Sequence, residues 1–309
     1  MVLYISNIDT LTDGFGQKYR DIILLYCFCK YSKNIFMYSP YKKTDHNEYN
    51  DKNYEKSLDE FIGFNKYKYI KTNKNKHLIK KSTTFRKYIH DLSNEYIKPA
   101  IDINLIIKPD FINELIDIYN TNPKPIIKFR EKKTIIAVHI RYGDISLPYL
   151  MKKYSINKKN IKTVRTLESL FNFFHYYISF EKYIDAMKEL EKIYPNAYFY
   201  IYSQAVILEQ YKDFNIFKKL FKGKIQLKIN TKMMDTFESI RKSDIILMGF
   251  SGFSWCASIL SNAKVYYIDK KNRYNSDNNW FLNSWTKLET AKTSLELINE
   301  FNTKVITNF

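Results

Sequence analysis

Glycine is scarce in this chain, 7 in 309 residues. Each is therefore expected where a side chain would be costly, at a positive φ or at a close approach of backbone. Cysteine is rarer still, with 3 in all, Cys27, Cys29 and Cys256. An odd number without disulfide spacing excludes a disulfide-stapled scaffold and suits a reducing compartment. Cys27 and Cys29 lie in an apolar run and are expected to pack in a core. The 5 histidines, His46, His77, His90, His139 and His175, have no second ligand at metal-site spacing, which excludes a zinc motif. No run approaches the roughly 20 continuous apolar residues that span a bilayer. The opening Met1-Val-Leu-Tyr-Ile-Ser-Asn7 lacks the basic start of a secretory signal, so a cytoplasmic protein without a transmembrane segment is expected.

What is present argues for a packed globular protein: 45% hydrophobic and 17% aromatic residues, too many for disorder. The formal net charge of +18 would attract polyanions. Most of that excess is Lys, accompanied by heavy use of Asn, Ile, Tyr and Phe, the residues that AT-rich coding supplies. Such a bias spreads charge over every solvated face. No zinc knuckle, RNA-recognition signature or basic helix appears, so no specific nucleic-acid partner is expected. A phosphate-bearing small substrate would still gain from the positive field.

Short apolar runs rich in β-branched and aromatic residues alternate with longer segments of helical period, which predicts an α/β fold with parallel sheets. Strands are expected at Val2–Ile5 and Asn34–Tyr38 around a helix at Gln17–Lys30. Residues 41 to 80 read as polar and irregular, and helices are expected at Ser82–Ile97 and Asp110–Tyr119. Asn120-Thr-Asn-Pro-Lys-Pro125 combines turn formers with two prolines and marks the expected boundary. It divides a domain over 1–130 from one over 131–309. The second domain should carry strands at Ile135–Ile140, Ala197–Tyr202, Lys224–Leu227, Ile245–Met248 and Val265–Ile268. Its helices should lie at Ser179–Ile193, Leu208–Phe221, Met234–Lys242 and Phe253–Asn262. Ser284–Phe301 reads as a terminal helix, with the option of packing back on the first domain. Oligomeric state is not legible.

Five of the seven glycines fall at three expected strand ends: Gly14 and Gly16, Gly143, and Gly249 and Gly252. In open α/β sheets that carboxyl edge is where ligands bind. Thr12-Asp-Gly-Phe-Gly-Gln17 is either a plain tight turn or a ligand loop. Ile135-Ile-Ala-Val-His-Ile-Arg-Tyr-Gly-Asp144 delivers His139 and Arg141 to one face of a strand tip. There a guanidinium can fork onto phosphate oxygens. Gly143 would let backbone come close, and Asp144 would hold the loop by accepting backbone or Arg hydrogen bonds. The bland alternative is an Arg–Asp pair that pins a turn. In Met248-Gly-Phe-Ser-Gly-Phe-Ser-Trp255, the hydroxyls of Ser251 and Ser254 and the free amides of a helix start would form an anion site. Alternatively, Ser251 simply caps that helix.

Together these motifs resemble the fucosyltransferase superfamily, and most closely the inverting α-1,2-fucosyltransferases of glycosyltransferase family 11. Val138-His-Ile-Arg-Tyr-Gly-Asp144 looks like the His-x-Arg-Arg-Gly-Asp signature, whose first Arg maps to Arg141. Asp235 to Leu260 is similar to the stretch ending in Ser-Ser-Phe-Ser-Trp-Trp, and Gly14-Phe-Gly-Gln17 is similar to the N-terminal Gly-rich loop. The chain departs from the pattern at Tyr142 for the second Arg, at Ser203-Gln204-Ala205 for Ser-Asp-Asp, at Gly252 for Ser and at Cys256 for Trp.

The resemblance implies a GT-B fold of two facing Rossmann-like domains. It also implies inverting transfer of fucose from GDP-fucose to a glycan hydroxyl, with no metal or other cofactor. The departures leave as alternatives a GT-B transferase using another sugar nucleotide or an inactive nucleotide- or glycan-binding relative. Arg141 would contact the donor diphosphate. His139, Gly143, Asp144, Gly14, Gly16, Ser203, Ser251, Gly252, Phe253 and Ser254 would line the donor site. Asp13, which resembles an acidic residue of some protein O-fucosyltransferases, would be the base. The partners implied are a sugar nucleotide and a glycan acceptor.

Overall fold

In the computed structural model of the chain, the described residues are 4–6, 14–42, 51–67, 76–78, 107–129, 133–145, 178–249, 251–268 and 285–287. The chain divides into two compact units between Lys124 and Pro125.

The first unit is built on a parallel sheet of order β2-β1-β3, from β1 (Tyr4–Ser6), β2 (Ile35–Met37) and β3 (Lys76–Leu78). Between β1 and β2 runs α1, Phe15–Tyr31. Its apolar residues surround the axis, and Tyr19, Ile23, Leu24, Cys27, Phe28 and Cys29 are fully buried, the signature of a helix enclosed on all sides. Burial pushes the Cys27 and Cys29 thiols up, which leaves them inert packing groups. Tyrosines tie this unit together through their hydroxyls. Tyr26 donates to Glu114 at 2.6 Å, and Tyr38 donates to the buried Asp59. Glu114 lies on α3, Pro109–Asn120, which starts with Pro at its first position, where the missing N–H removes no helical bond.

Residues 41 to 80, expected to be irregular, contain an amphipathic helix α2 (Tyr54–Ile62), a 3-10 turn at Phe64–Tyr67 and strand β3. Leu58, Phe61 and Ile62 bury the apolar side of α2. The helix stops at Gly63, whose φ of 81° is the left-handed cap position that favours glycine. A side chain there would also strike the Ile118 carbonyl of α3.

The second unit holds β4 (Thr134–Ile140), β5 (Ala197–Ser203), β6 (Ile225–Ile229), β7 (Ile245–Met248), β8 (Lys264–Tyr267) and β9 (Trp285–Lys287). All pair in parallel in the order β6-β5-β4-β7-β8-β9. Relabelled within the unit this is 3-2-1-4-5-6, the doubly wound Rossmann order. The central strands read as unbroken apolar runs because helices cover both faces. Ile136, Val138 and Ile140 pack with Tyr183, Met187 and Leu190 of α4 (Phe180–Ile193). The opposite face meets α7 (Met233–Arg241) and α8 (Gly252–Ile259). A fully buried Glu238 on α7 takes both guanidinium nitrogens Nε and Nη2 of Arg241 at 2.9 Å.

Two expectations are corrected here. The segment 208–221 is two helices, α5 (Leu208–Asp213) and α6 (Asn215–Leu220), broken at Phe214. Phe214 is fully buried and packs at 5.1 Å on Phe180, so the break lets its ring turn into the core. Residues 285 to 287, placed at the start of a terminal helix, form β9 at the sheet edge. Trp and Thr favour the pleated strand surface over a helix. The remainder of that expected helix, and the one expected at 82–97, lie outside the described residues.

Candidate functional site

The strand order reverses at β4: β5 and β6 lie to one side of it, and β7, β8 and β9 to the other. At such a switch point the loops leaving the two adjacent strands diverge and open a crevice at the carboxyl edge. His139 is opposite Met248 in the β4–β7 register. Arg141 therefore leaves β4, and Gly249 leaves β7, on the two sides of that crevice.

Arg141 is about one-third exposed and its Nη2 lies 3.1 Å from Asp144 Oδ2. The guanidinium is thus both accessible and oriented. Its neighbours are fixed from the β5 side. Ser203 Oγ donates to the Ile140 carbonyl at 2.6 Å, so this hydroxyl ties two strand tips together. Tyr142, which stands where the resembled signature has its second Arg, is buried. Its ring packs 4.7 Å from Phe180, and its hydroxyl donates to Asp213 at 2.6 Å. Gly143 presses against the post-β5 segment: an added Cβ would lie 3.0 Å from the Gln204 carbonyl oxygen. That closeness explains the glycine without any positive φ.

His139 is partly buried, and its Nδ1 is shut away from solvent with no hydrogen-bond partner. Its ring lies 5.4 Å from that of Phe253, which in turn meets Phe237 edge-on. Burial, and then the Arg141 charge, push the imidazole down to about 3. It is neutral at physiological pH, so the fixed cation of this strand tip is Arg141.

On the β7 side, Ser251 has the extended backbone of a helix N-cap but makes no side-chain cap bond. Gly252 and Phe253 open α8. Ser254, read as an anion contact, is fully buried, and its hydroxyl points to the Ser251 carbonyl at 3.4 Å. Of the two hydroxyl-bearing residues read as anion contacts, only Ser251 keeps some exposure. Gly249 has a packing role, since a side chain there would run into the Tyr183 hydroxyl.

In the first unit, Gly14 is the N-cap of α1, with φ −67° and ψ 162°, and its carbonyl accepts from the Gln17 and Lys18 amides. Gly16 lies in the first helical turn. The two form a helix start, and neither has a positive φ. Asp13 lies outside the described residues.

Sequence reasoning missed Gln210 and Asp213, the α5 residues bonded to the Arg141 loop. The available signal was a Gln in the first turn of a helix that follows a strand, where a carboxamide can satisfy free backbone amides. Among the described residues, no three His, Cys, Asp or Glu side chains gather as they would around a metal ion. No described helix is long and apolar enough to cross a membrane.

Fold and site define an α/β protein of two compact units, with an arginine at the switch point of a six-stranded parallel sheet. No protein-family model matches the sequence, and no curated protein matches it. Among solved structures, the chain is similar to POFUT1 in complex with GDP-fucose, at 9% identity and a TM-score of 0.40, over 87% of this chain and 98% of that one. It is likewise similar to POFUT1 in complex with GDP, at 11% identity and a TM-score of 0.42, with the same coverage.

Proposed function

We propose that the chain is a glycosyltransferase of GT-B type that binds a nucleotide diphosphate sugar at the β4–β7 crevice, with GDP-fucose as donor and a glycan hydroxyl as acceptor. The observation that carries the reading is Arg141, an oriented and accessible guanidinium at a switch point, opposite the helix start of α8. In an inverting transfer the acceptor oxygen bonds to the anomeric carbon as the bond from that carbon to the diphosphate oxygen breaks. The electron pair leaves with the diphosphate, and the acceptor proton passes to a base. Negative charge grows on the departing phosphate, so a preorganised cation stabilises the transition state more than the ground state. Arg141 supplies that charge, and Ser251 with the first amides of α8 supplies hydrogen bonds from the other side. His139, held neutral, offers a hydrogen bond to the nucleotide without a second charge. Asp13 is the proposed base. Tyr142 and Ser203, which the fold uses internally, shape the loop from behind. The acceptor belongs to the first unit in this reading.

The choice of GDP rests on motif resemblance, so it is the part to test first. Thermal shifts with GDP, UDP, ADP and CMP would rank the bases, because a ligand at free concentration L that binds only the folded state raises its stability by RT ln(1 + L/Kd), so at equal concentration the tighter ligand gives the larger shift. GDP should give the largest shift. A larger shift with UDP would replace the donor, as the Gln204-Ala205 pair in place of two carboxylates would allow, and no shift with any of the four would remove the reading.

A further inference from the structure

We propose that α5 is a clamp for the Arg141 loop, with Gln210 as its positioning residue; the inference rests on the donor-site reading above. Three contacts from the β5–α5 segment reach the residues on both sides of Arg141. Ser203 holds the Ile140 carbonyl, Asp213 holds the Tyr142 hydroxyl, and Gln210 holds the Gly143 carbonyl.

Gln210 is fully buried, and its carboxamide is used at both ends. Oε1 accepts from the Val206 and Ile207 amides, while Nε2 donates to Gly143 at 2.7 Å. Backbone amides demand an acceptor and a carbonyl demands a donor, and a carboxamide of this length supplies both without any change of protonation. The local bonds suffice to start the helix. The bond to Gly143 spans 67 residues of sequence and adds nothing to capping. Its effect is on the loop, where it fixes a glycine immediately after Tyr142 and two residues past Arg141. The close approach of Gly143 to the Gln204 carbonyl independently shows the loop seated on the same segment. A guanidinium that must meet a diphosphate needs placement within about half an ångström, and this seat supplies it.

The test uses the full-length chain and the variants Gln210→Met, Gln210→Glu and Phe221→Leu. The last loosens the core away from the carboxyl edge and serves as a stability reference. Gln210→Met should accelerate amide hydrogen exchange at residues 141–144 and weaken GDP binding by about tenfold or more in the folded protein. Phe221→Leu should lower the melting temperature while keeping wild-type GDP affinity. Gln210→Glu keeps the two capping acceptors but faces Gly143 with an oxygen. Its GDP affinity, relative to wild type at each pH, should recover as acid protonates the carboxyl and restores a donor. Should Gln210→Met not fold, Asp213→Leu, which removes the acceptor of the Tyr142 hydroxyl, applies the same measurement to the second anchor. Unchanged exchange at 141–144, or unchanged GDP affinity in a folded variant, would overturn the clamp. If the wild-type chain binds no GDP, the donor reading falls, and the exchange data alone then decide the clamp.

Discussion

The His139 ring packs 5.4 Å from that of Phe253, tilted by 34°, joining the tip of β4 to the first turn of α8. The His139 Nδ1 is shut away from solvent, and burial, followed by the Arg141 charge, holds the imidazole in its neutral form.

That enclosure predicts a pH dependence. The unfolded histidine titrates near 6.5 and the folded one at about 3, so between these values the unfolded chain binds more protons. Stability rises with pH wherever this is so. It should therefore fall as pH drops from about 6.5 toward 3, over and above the effect of carboxylates. His139→Phe should flatten that part of the profile, as read by urea unfolding at a series of pH values. An unchanged slope would mean that the ring is solvated.

Replacement of Arg141 by Ala should abolish transfer and weaken GDP binding while leaving a folded protein. The ion pair it makes with Asp144 is about one-third exposed, and such pairs contribute only about 0–1 kcal/mol to stability. Circular dichroism and melting temperature should stay near wild type. Full activity in the folded variant would remove Arg141 from the site.

Tyr142→Phe keeps the ring packed on Phe180 and Phe214 but deletes the hydroxyl bonded to Asp213. A hydrogen bond to a charged partner contributes about 1.5–3 kcal/mol. A fall of that order in unfolding free energy is expected from denaturant titration. A loss below about 0.5 kcal/mol would show that water replaces the hydroxyl without cost.

Gly249→Ala should destabilise the second unit by about 1–3 kcal/mol, the usual cost of overpacking, because the new methyl meets the Tyr183 hydroxyl and Ile178. Combining it with Tyr183→Phe should recover part of the loss. Additive losses in the double variant would point away from the Tyr183 contact.

The second unit was legible in the sequence because its strands are buried on both faces. Ile245–Met248 begins and ends where its apolar run does, and the helix between Phe180 and Ile193 carries an unbroken 3.6-residue apolar pattern. Legibility failed where the local signal was thin. Tyr54–Ile62 is surrounded by Asn, Asp and Lys, and its best marker was Gly63, one glycine among few. Lys76–Leu78 and Trp285–Lys287 are three residues each, too short for alternation to register. In the site, Arg141 announced itself because an arginine at the end of an apolar run is conspicuous. Gln210 could not, since its bond to Gly143 is a product of tertiary packing across 67 residues. The five glycines singled out by position turned out to need no positive φ among the described residues, whereas Gly63 and Gly223, left aside, do.

The tyrosine-to-carboxylate links have a consequence at the level of coding. In an AT-rich gene, Phe and Tyr codons interconvert by a single base change, and this chain carries 22 of one and 27 of the other. At most aromatic core positions that exchange leaves the ring volume in place. At Tyr26, Tyr38 and Tyr142 it removes the oxygen that joins segments 88, 21 and 71 residues apart. Drift between two chemically similar residues is therefore costly at these three tyrosines among the described residues, one of them next to Arg141.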